Sequence, residues 1–143
     1  MHAPRVIDGR VPRPRPMVDD ATRPFWTGGA DGQLLIRHCA RCDRWIHPPV
    51  EICAVCGGAL EPRPVSGHGT VFSWTINEQP FDPQVPTPYN IAIVVLDEQD
   101  DLRLITNIVN CPDERLEIGL AVQVLFERHA DVYVPLFEPT DAT

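Results

Sequence analysis

Residues 70–76 alternate between apolar and polar side chains, and the pattern predicts Phe72, Trp74 and Ile76 on one face. A period of two indicates a half-buried β-strand. Gly67 and Gly69, just before it, suit a bulge or a sharp bend. The second half of the chain therefore opens with a bent strand.

Four more apolar segments follow, and each predicts a strand: residues 91–96, 102–109, 121–127 and 132–137. The acidic stretch 97–101 separates the first two and predicts a hairpin turn. Five strands this apolar would leave edges prone to aggregation unless the sheet closed on itself. We therefore predict a small barrel of the OB type over residues 63–143, including a C-terminal tail, with a sandwich as the alternative.

The first 21 residues lack any such periodicity, and prolines alternate with arginines there. This composition predicts an extended arm without helix or strand. Thr22 as N-cap, Pro24 in the first turn and Gly28 with Gly29 as the stop predict a helix of two turns. Phe25 and Trp26 on this helix either pack against the rest of the chain or anchor a partner.

Two Cys-x-x-Cys pairs, Cys39 with Cys42 and Cys53 with Cys56, are separated by ten residues. Four thiolates at this spacing can close a tetrahedron around Zn²⁺. We predict a structural zinc ribbon over residues 32–60, with short strands at 34–38 and 45–47, which together with the short helix forms a domain over residues 22–62. An Fe–S centre and a redox dithiol are the alternatives.

Other residues near the pairs have structural interpretations. Gly57 and Gly58 follow the second pair, where a knuckle turns sharply, and Asp43 holds the corresponding place after the first pair. Four thiolates satisfy the metal, so we predict His38 and His47 outside its coordination shell. Cys111 has no partner motif and is expected to be a small apolar filler.

Charge is distributed unevenly along a chain whose net charge is −8. Nine of the 12 arginines lie at or before residue 63, whereas 13 of the 20 acidic residues lie after it. We therefore expect an anion, if one binds, near the front half. The chain has no lysine, which excludes a lysine Schiff base as its own catalytic device.

The segment 79–89 joins the first two barrel strands and combines four prolines with Phe81, Val85 and Tyr89. A stiff loop that carries apolar side chains loses little entropy on docking, so it is either a partner-binding loop or a rigid connection over the barrel mouth. No apolar run reaches the ~20 residues that cross a bilayer, and no leader is visible at the start. We expect a cytoplasmic protein.

In this order the motifs resemble the zinc-ribbon and OB-fold proteins associated with acyl-CoA metabolism, formerly a domain family of unknown function. The resemblance covers residues 22–138, and Asp43 departs from the glycine usual at its position. The matching motifs are Phe25-Trp26, Gly32-x-Leu34, Cys39-x-x-Cys42, Pro48-Pro49, Cys53-x-x-Cys56-Gly57, Ser66-Gly67-x-Gly69-x-Val71, Pro88-Tyr89 and Ile118-Gly119-x-x-Val122.

The resemblance implies a mainly β protein in which a short helix and a zinc ribbon precede a five-stranded OB-fold barrel. It also implies a non-catalytic subunit of a heteromer. The partner is a thiolase-like enzyme or a lipid-transfer-protein-like aldolase that cleaves side chains from steroid acyl-CoA esters. Such a subunit stabilises the partner and completes its acyl-CoA channel.

On this interpretation the chain holds no catalytic residue, and a CoA thioester lies at the partner interface. The candidate ligands of the CoA phosphates are Arg37, Arg41 and Arg44, with solvated surface charges as the alternative. The candidate partner-binding residues are Phe25, Trp26, Phe81, Val85 and Tyr89. A nucleic-acid-binding module is the alternative function, but the acidic barrel disfavours it.

Overall fold

The computed structural model describes residues 4–141. Within that range one short helix, α1, precedes a mainly β body, which confirms the predicted fold class. The bounds are β1 Val6–Asp8, α1 Arg23–Thr27, β2 Leu34–Cys39, β3 Arg44–Ile46, β4 Glu61–Val65, β5 His68–Asn77, β6 Tyr89–Leu96, β7 Arg103–Thr106, β8 Ala121–His129 and β9 Val132–Pro139.

The ribbon is a three-stranded sheet in the order β3-β2-β4. Strand β4 was not predicted, because Pro62 and Pro64 argue against a strand. It lies at the edge of the sheet, where a missing N–H is tolerated on the open side. β4 pairs with β2 as far as Val65 opposite Leu34, so the ribbon sheet includes residues up to 65.

The barrel strands β5 to β9 match the five predicted segments. The sheet order is β1-β8-β5-β6-β7, and β9 pairs with β8. A parallel bridge between Ile108 and Phe137 joins the β7 side to β9 and closes the barrel. The Thr106 hydroxyl donates a hydrogen bond to the Pro135 carbonyl at the same seam.

A β-bulge in β5 contradicts the predicted face of this strand. Val71 pairs with Val94 and Ser73 with Ile93, so Phe72 is the extra residue. The bulge turns Phe72 to the outside, where the Arg103 guanidinium lies 4.2 Å from its ring centroid. Trp74 instead pairs with the buried Ala92. Period-two alternation fails across a bulge, because one inserted residue inverts the order of the faces.

The sequence predicted an N-terminal arm without helix or strand, and this prediction is wrong. Part of the arm forms a strand, β1, on the barrel. β1 runs parallel to β8, with Val6 opposite Phe126 and Asp8 opposite Arg128. β5 pairs only with the first residues of β8, from Ala121 to Gln123, and then turns away. The arm thus covers the strand edge that β5 leaves open, which protects it from pairing with another chain.

Arginines attach the arm to carboxylates of the barrel. Arg5 pairs with Glu138, which is almost completely buried, and Arg13 pairs with Glu127. Arg13 also donates a 2.8 Å hydrogen bond to the Asn107 side chain. The basic front and acidic back of the sequence therefore partly neutralise each other within one molecule.

Helix α1 ends at Thr27, directly before the predicted stop at Gly28, and with five residues it is shorter than the two turns predicted. The chain continues from Gly28 through a 3₁₀ turn to Asp31, and Gly32, with φ of 67°, ends it. The hydroxyl of the N-cap residue Thr22 accepts from the Asp19 amide rather than from the helix. Gly29 serves close packing: a Cβ there would lie 2.6 Å from both the Phe126 ring and the Tyr133 Cβ.

The ribbon and the barrel share one hydrophobic core. Leu34 and Ile36 of β2 and Phe25 of α1 are buried in the same cluster as Val94, Phe126 and other barrel residues. A second, much smaller cluster consists of Cys39, Cys53 and Leu60. Among residues 4–141 there is no helix of the length and apolarity that a bilayer crossing requires.

Candidate metal centre and docking surface

The four paired cysteines converge at the free end of the ribbon. β2 delivers Cys39 as its last residue, and the chain reverses through Asp43, with φ of 52°, before β3 begins. In the second knuckle the Cys53 amide donates to the Gly58 carbonyl, and the amide of Gly57, with φ of 74°, donates to the Cys53 carbonyl. Each knuckle thus turns through a left-handed residue, Asp43 in the first and Gly57 in the second.

The sulfur positions fit a tetrahedral ion. The Sγ atoms of Cys39 and Cys56 are 3.5 Å apart, those of Cys42 and Cys53 are 4.0 Å apart, and all four lie within 4.8 Å of one another. A tetrahedron with Zn–S bonds of about 2.3 Å has edges of about 3.8 Å. Four sulfur donors fill the coordination sphere and leave no position for a reacting water, so the site is structural.

Backbone amides and neighbouring sulfurs set the acidity of these thiols. Hydrogen bonds from the Cys56 and Val55 amides lower the pKa of Cys53 to about 7. The Cys56 thiol and burial raise the pKa of Cys42 to about 12. The Cys42 amide donates to the Cys39 sulfur and the Gly58 amide to the Cys56 sulfur, both at 3.4 Å. Such donors stabilise thiolates bound to a cation.

Both neighbouring histidines lie outside the sulfur cluster. Nε2 of His38 is 3.1 Å from the Asp43 carboxylate, and Nδ1 is 3.4 Å from the Arg63 guanidinium. The His47 ring packs against Phe25 with centroids 4.9 Å apart. Its Nδ1 is a buried side-chain polar atom without a hydrogen-bond partner in the described range. Cys111 is half-buried and packs against the barrel core, as a filler would.

Burial of His47 makes stability depend on pH. Desolvation lowers the pKa of His47 from 6.5 to about 4. Between these values the unfolded chain binds more protons than the folded one, so the free energy of unfolding falls as the pH falls. From pH 7.5 to 5 we expect a loss of about 2 kcal/mol from this group.

Urea denaturation gives the change in the free energy of unfolding between the two pH values for wild type and for His47→Phe. The difference between these two changes measures the contribution of His47, because effects common to both proteins cancel. A His68→Gln variant, changed at an exposed histidine, is the control and should follow wild type. Equal pH dependence in wild type and His47→Phe contradicts the prediction.

The three arginines proposed from the resemblance differ in their surroundings. The Arg37 guanidinium donates to the main-chain carbonyls of Asp20, Ala21 and Leu60 at 2.9–3.2 Å. It therefore ties the segment before α1 to the ribbon. Arg44 pairs with Asp101 on the hairpin tip at 2.6 Å. Arg41 is exposed and forms no ion pair within residues 4–141. It alone among the three has a guanidinium free for a phosphate.

The five proposed partner-binding residues are also unequal. Phe25 is buried and meets Trp26 edge to face, with centroids 4.9 Å apart. Phe81 is 81% exposed at the tip of the loop that precedes β6. Val85 and Tyr89 are half-buried. Phe25 therefore belongs to the core, whereas Trp26 and Phe81 have side-chain surface that a partner can contact.

Sequence analysis missed an apolar outer face on the barrel. Phe72 is 44% exposed and Ile105 is 78% exposed, and the outward residues of β6 lie between them. The signal was present in β7, where Arg103 and Ile105 alternate with the buried Leu104 and Thr106. The contribution of Phe72 to this face could not be seen in the sequence. It depends on the bulge, and the position of the bulge depends on how β5 pairs with β6.

A closed Cys₄ ribbon that shares its core with an OB barrel defines a zinc-ribbon and OB-fold protein. The family "ChsH2, rubredoxin-like zinc ribbon domain" matches residues 26–61, and "ChsH2, C-terminal OB-fold domain" matches residues 62–127. The chain belongs to this family, which also carries the name DUF35. The family membership predicted from the sequence motifs is therefore confirmed.

Curated relatives include longer proteins and one of similar size. A "probable enoyl-CoA hydratase alpha subunit" of Thermomonospora curvata is 31% identical over 129 residues. The "3-oxo-4,17-pregnadiene-20-carboxyl-CoA hydratase alpha subunit" of Mycobacterium tuberculosis is 30% identical over 130 residues. Each alignment covers 89% of this chain but 40% of the relative. A "DUF35 domain-containing scaffold protein" of Methanothermobacter thermautotrophicus is 33% identical over 63% of this chain and 68% of its own length.

A solved structure shares the whole architecture. A chain of the "Ltp2-ChsH2(DUF35) aldolase" superposes with a TM-score of 0.78 at 29% identity. The match covers 87% of this chain and 98% of that chain. The likeness therefore includes ribbon, helix and barrel together rather than one of them.

Proposed function

We propose that this chain is a non-catalytic subunit that binds a thiolase-fold enzyme acting on acyl-CoA thioesters and completes its substrate channel. The observation that carries the proposal is the match to nearly the full length of a chain in the Ltp2-ChsH2 aldolase. The scaffold name of the archaeal relative supports the same kind of role.

The side chains of the described range support a non-catalytic role. The four thiols occupy a closed metal site, and Cys111 is a half-buried filler. His38 and His129 are engaged by carboxylates, and the half-buried His47 packs beside Phe25. In this proposal the partner supplies the acid and the base. This chain contributes a wall that excludes water from the reacting thioester.

For the reaction itself, a retro-aldol cleavage of a steroid acyl-CoA is the best-supported choice. An aldolase is named in the structural match, and a pregnadiene carboxyl-CoA substrate is named for one relative. In this proposal Arg41 is the candidate contact for a CoA phosphate. The complex would work in the cytoplasm, because metal-binding thiols must stay reduced.

The test is reconstitution of this chain with a purified lipid-transfer-protein-like aldolase. The isolated chain should show no turnover, and the partner's cleavage of a steroid acyl-CoA should rise at least tenfold and saturate at a fixed ratio of subunits. A partner whose stability and activity are the same with and without this chain would overturn the proposal.

A further inference from the structure

The outer face of strands β6 and β7 is largely apolar, whereas on β5 the polar residues Ser73 and Thr75 lie opposite Ile93 and Ile91. In β6 the residues Ala92, Val94 and Leu96 are buried, so the alternate residues point outward. Those outward residues are Ile91, Ile93 and Val95, and Ile105 of β7 lies directly opposite Ile93. Phe72 joins them from β5 through the bulge. We call these five residues the outer apolar face.

Charges surround this face but avoid its centre. Arg103 is the charged residue on it, and its guanidinium stacks on the Phe72 ring. Acidic residues lie at both ends of β6: Glu78 and Asp82 in the preceding loop, and Asp97 and Asp100 at the following hairpin tip. Since 22% of the chain is charged, a nearly uncharged strip between two acidic ends indicates an interaction surface.

The acidic ends exclude nucleic acid as the occupant, because a phosphate backbone requires basic contacts. A second copy is disfavoured by charge, since each chain carries −8 and would bring the same acidic ends together. Three strands with an eight-residue β6 offer about 370 Å², whereas a stable interface buries about 800 Å² on each partner. Any protein that docks here must therefore also contact surface beyond the face.

Two neighbouring features extend the surface in ways that suit a larger protein. A cleft of about 280 Å³ between α1 and the barrel is lined by Trp26, Ile91 and Ile105, so it continues directly from the outer apolar face. Phe81 is also highly exposed, in the loop that leads into β6. An enzyme surface that covers the face can therefore insert a side chain into the cleft and contact the loop as well.

We propose that the outer apolar face is the surface through which this chain docks on its enzyme partner. The partner presents a complementary apolar patch flanked at both ends by basic residues. This inference rests on the proposed function and adds to it the residues and the chemistry of the interface.

The experiment measures the affinity of the purified chain for the enzyme subunit used in the reconstitution. Ile105→Asp should weaken binding at least about tenfold, because it places a charge beside Ile93 on a face that the partner desolvates. Asp100→Asn should weaken binding slightly and reduce its dependence on salt, since one charge pair is lost. The control is Met17→Asp, which changes an apolar residue that is 88% exposed on the arm and should bind as wild type does.

The outcomes separate this inference from the proposed function. If wild type and Ile105→Asp bind the enzyme equally, the docking face is wrong and the subunit role stands. If wild type does not bind at all, the proposed function fails. Light scattering is run in parallel, and a wild-type dimer that Ile105→Asp converts to a monomer would assign the face to a second copy and overturn the inference. Unchanged zinc content and circular dichroism confirm that Ile105→Asp is folded.

Discussion

Cys53→Ser is expected to abolish zinc binding and to unfold the knuckles while the barrel stays folded. The small cluster around the metal contains three buried residues, and two of them are cysteines. Packing there cannot replace the ion, because structural zinc contributes about 10–16 kcal/mol of apparent binding energy in zinc-finger peptides. Metal analysis should show one zinc per wild-type chain and almost none in the variant.

Hydrogen exchange locates the damage. Amides of residues 39–60 should lose protection in Cys53→Ser or after chelation, and those of β8 and β9 should keep theirs. Cys111→Ser is the matched control, since Cys111 packs on the barrel core and should leave the zinc content unchanged. Full zinc content in Cys53→Ser, or protected knuckles after complete chelation, would show that this metal site is not what holds the ribbon end.

Arg13→Ala is expected to destabilise the protein by about 2 kcal/mol, because hydrogen bonds to charged groups contribute about 1.5–3 kcal/mol. Burial alone would raise the pKa of Glu127, but hydrogen bonds from His129 and Arg13 outweigh it and hold that pKa below its usual range. Removing Arg13 takes one of its two hydrogen-bonding partners from this half-buried carboxylate and the donor to Oδ1 from the Asn107 side chain. Urea denaturation at neutral pH measures the change.

A second arginine of the same arm provides the comparison. Arg15 pairs with Asp131, and both side chains are more than half exposed. Exposed pairs contribute about 0–1 kcal/mol, so Arg15→Ala should be nearly neutral. If both variants lose the same small amount of stability, the arm is held by strand pairing alone and its ion pairs are incidental.

The fold was largely predictable, because the barrel strands carry continuous apolar patterns and the metal ligands have a specific spacing. The failures have local causes. β1 was missed since three exposed residues give no periodicity, and only the open edge of β8 makes that segment a strand. β4 was missed since its prolines are tolerated at a sheet edge that the sequence does not reveal.

At the site, sequence reasoning found the spacing of the sulfur ligands but not the partners of the arginines. Arg37 and Arg44 were candidates for CoA phosphates, with solvated surface charges as the alternative, and in the structure one binds main-chain carbonyls and the other Asp101. A guanidinium's partner is set by distant parts of the chain: Asp101 follows Arg44 by 57 residues. The outer apolar face escaped notice for the same reason, since it exists only after three strands pair.

The burial of Leu34 and Ile36 among barrel side chains limits how evolution and engineering can recombine this molecule. Two sequence families meet between residues 61 and 62, which suggests interchangeable modules. A chimera cut at that point would join halves whose interior surfaces were selected against different neighbours. We therefore expect relatives to have inherited the ribbon and the barrel together. A graft that moves this protein's function to another chain should transfer residues 23–139 as one piece.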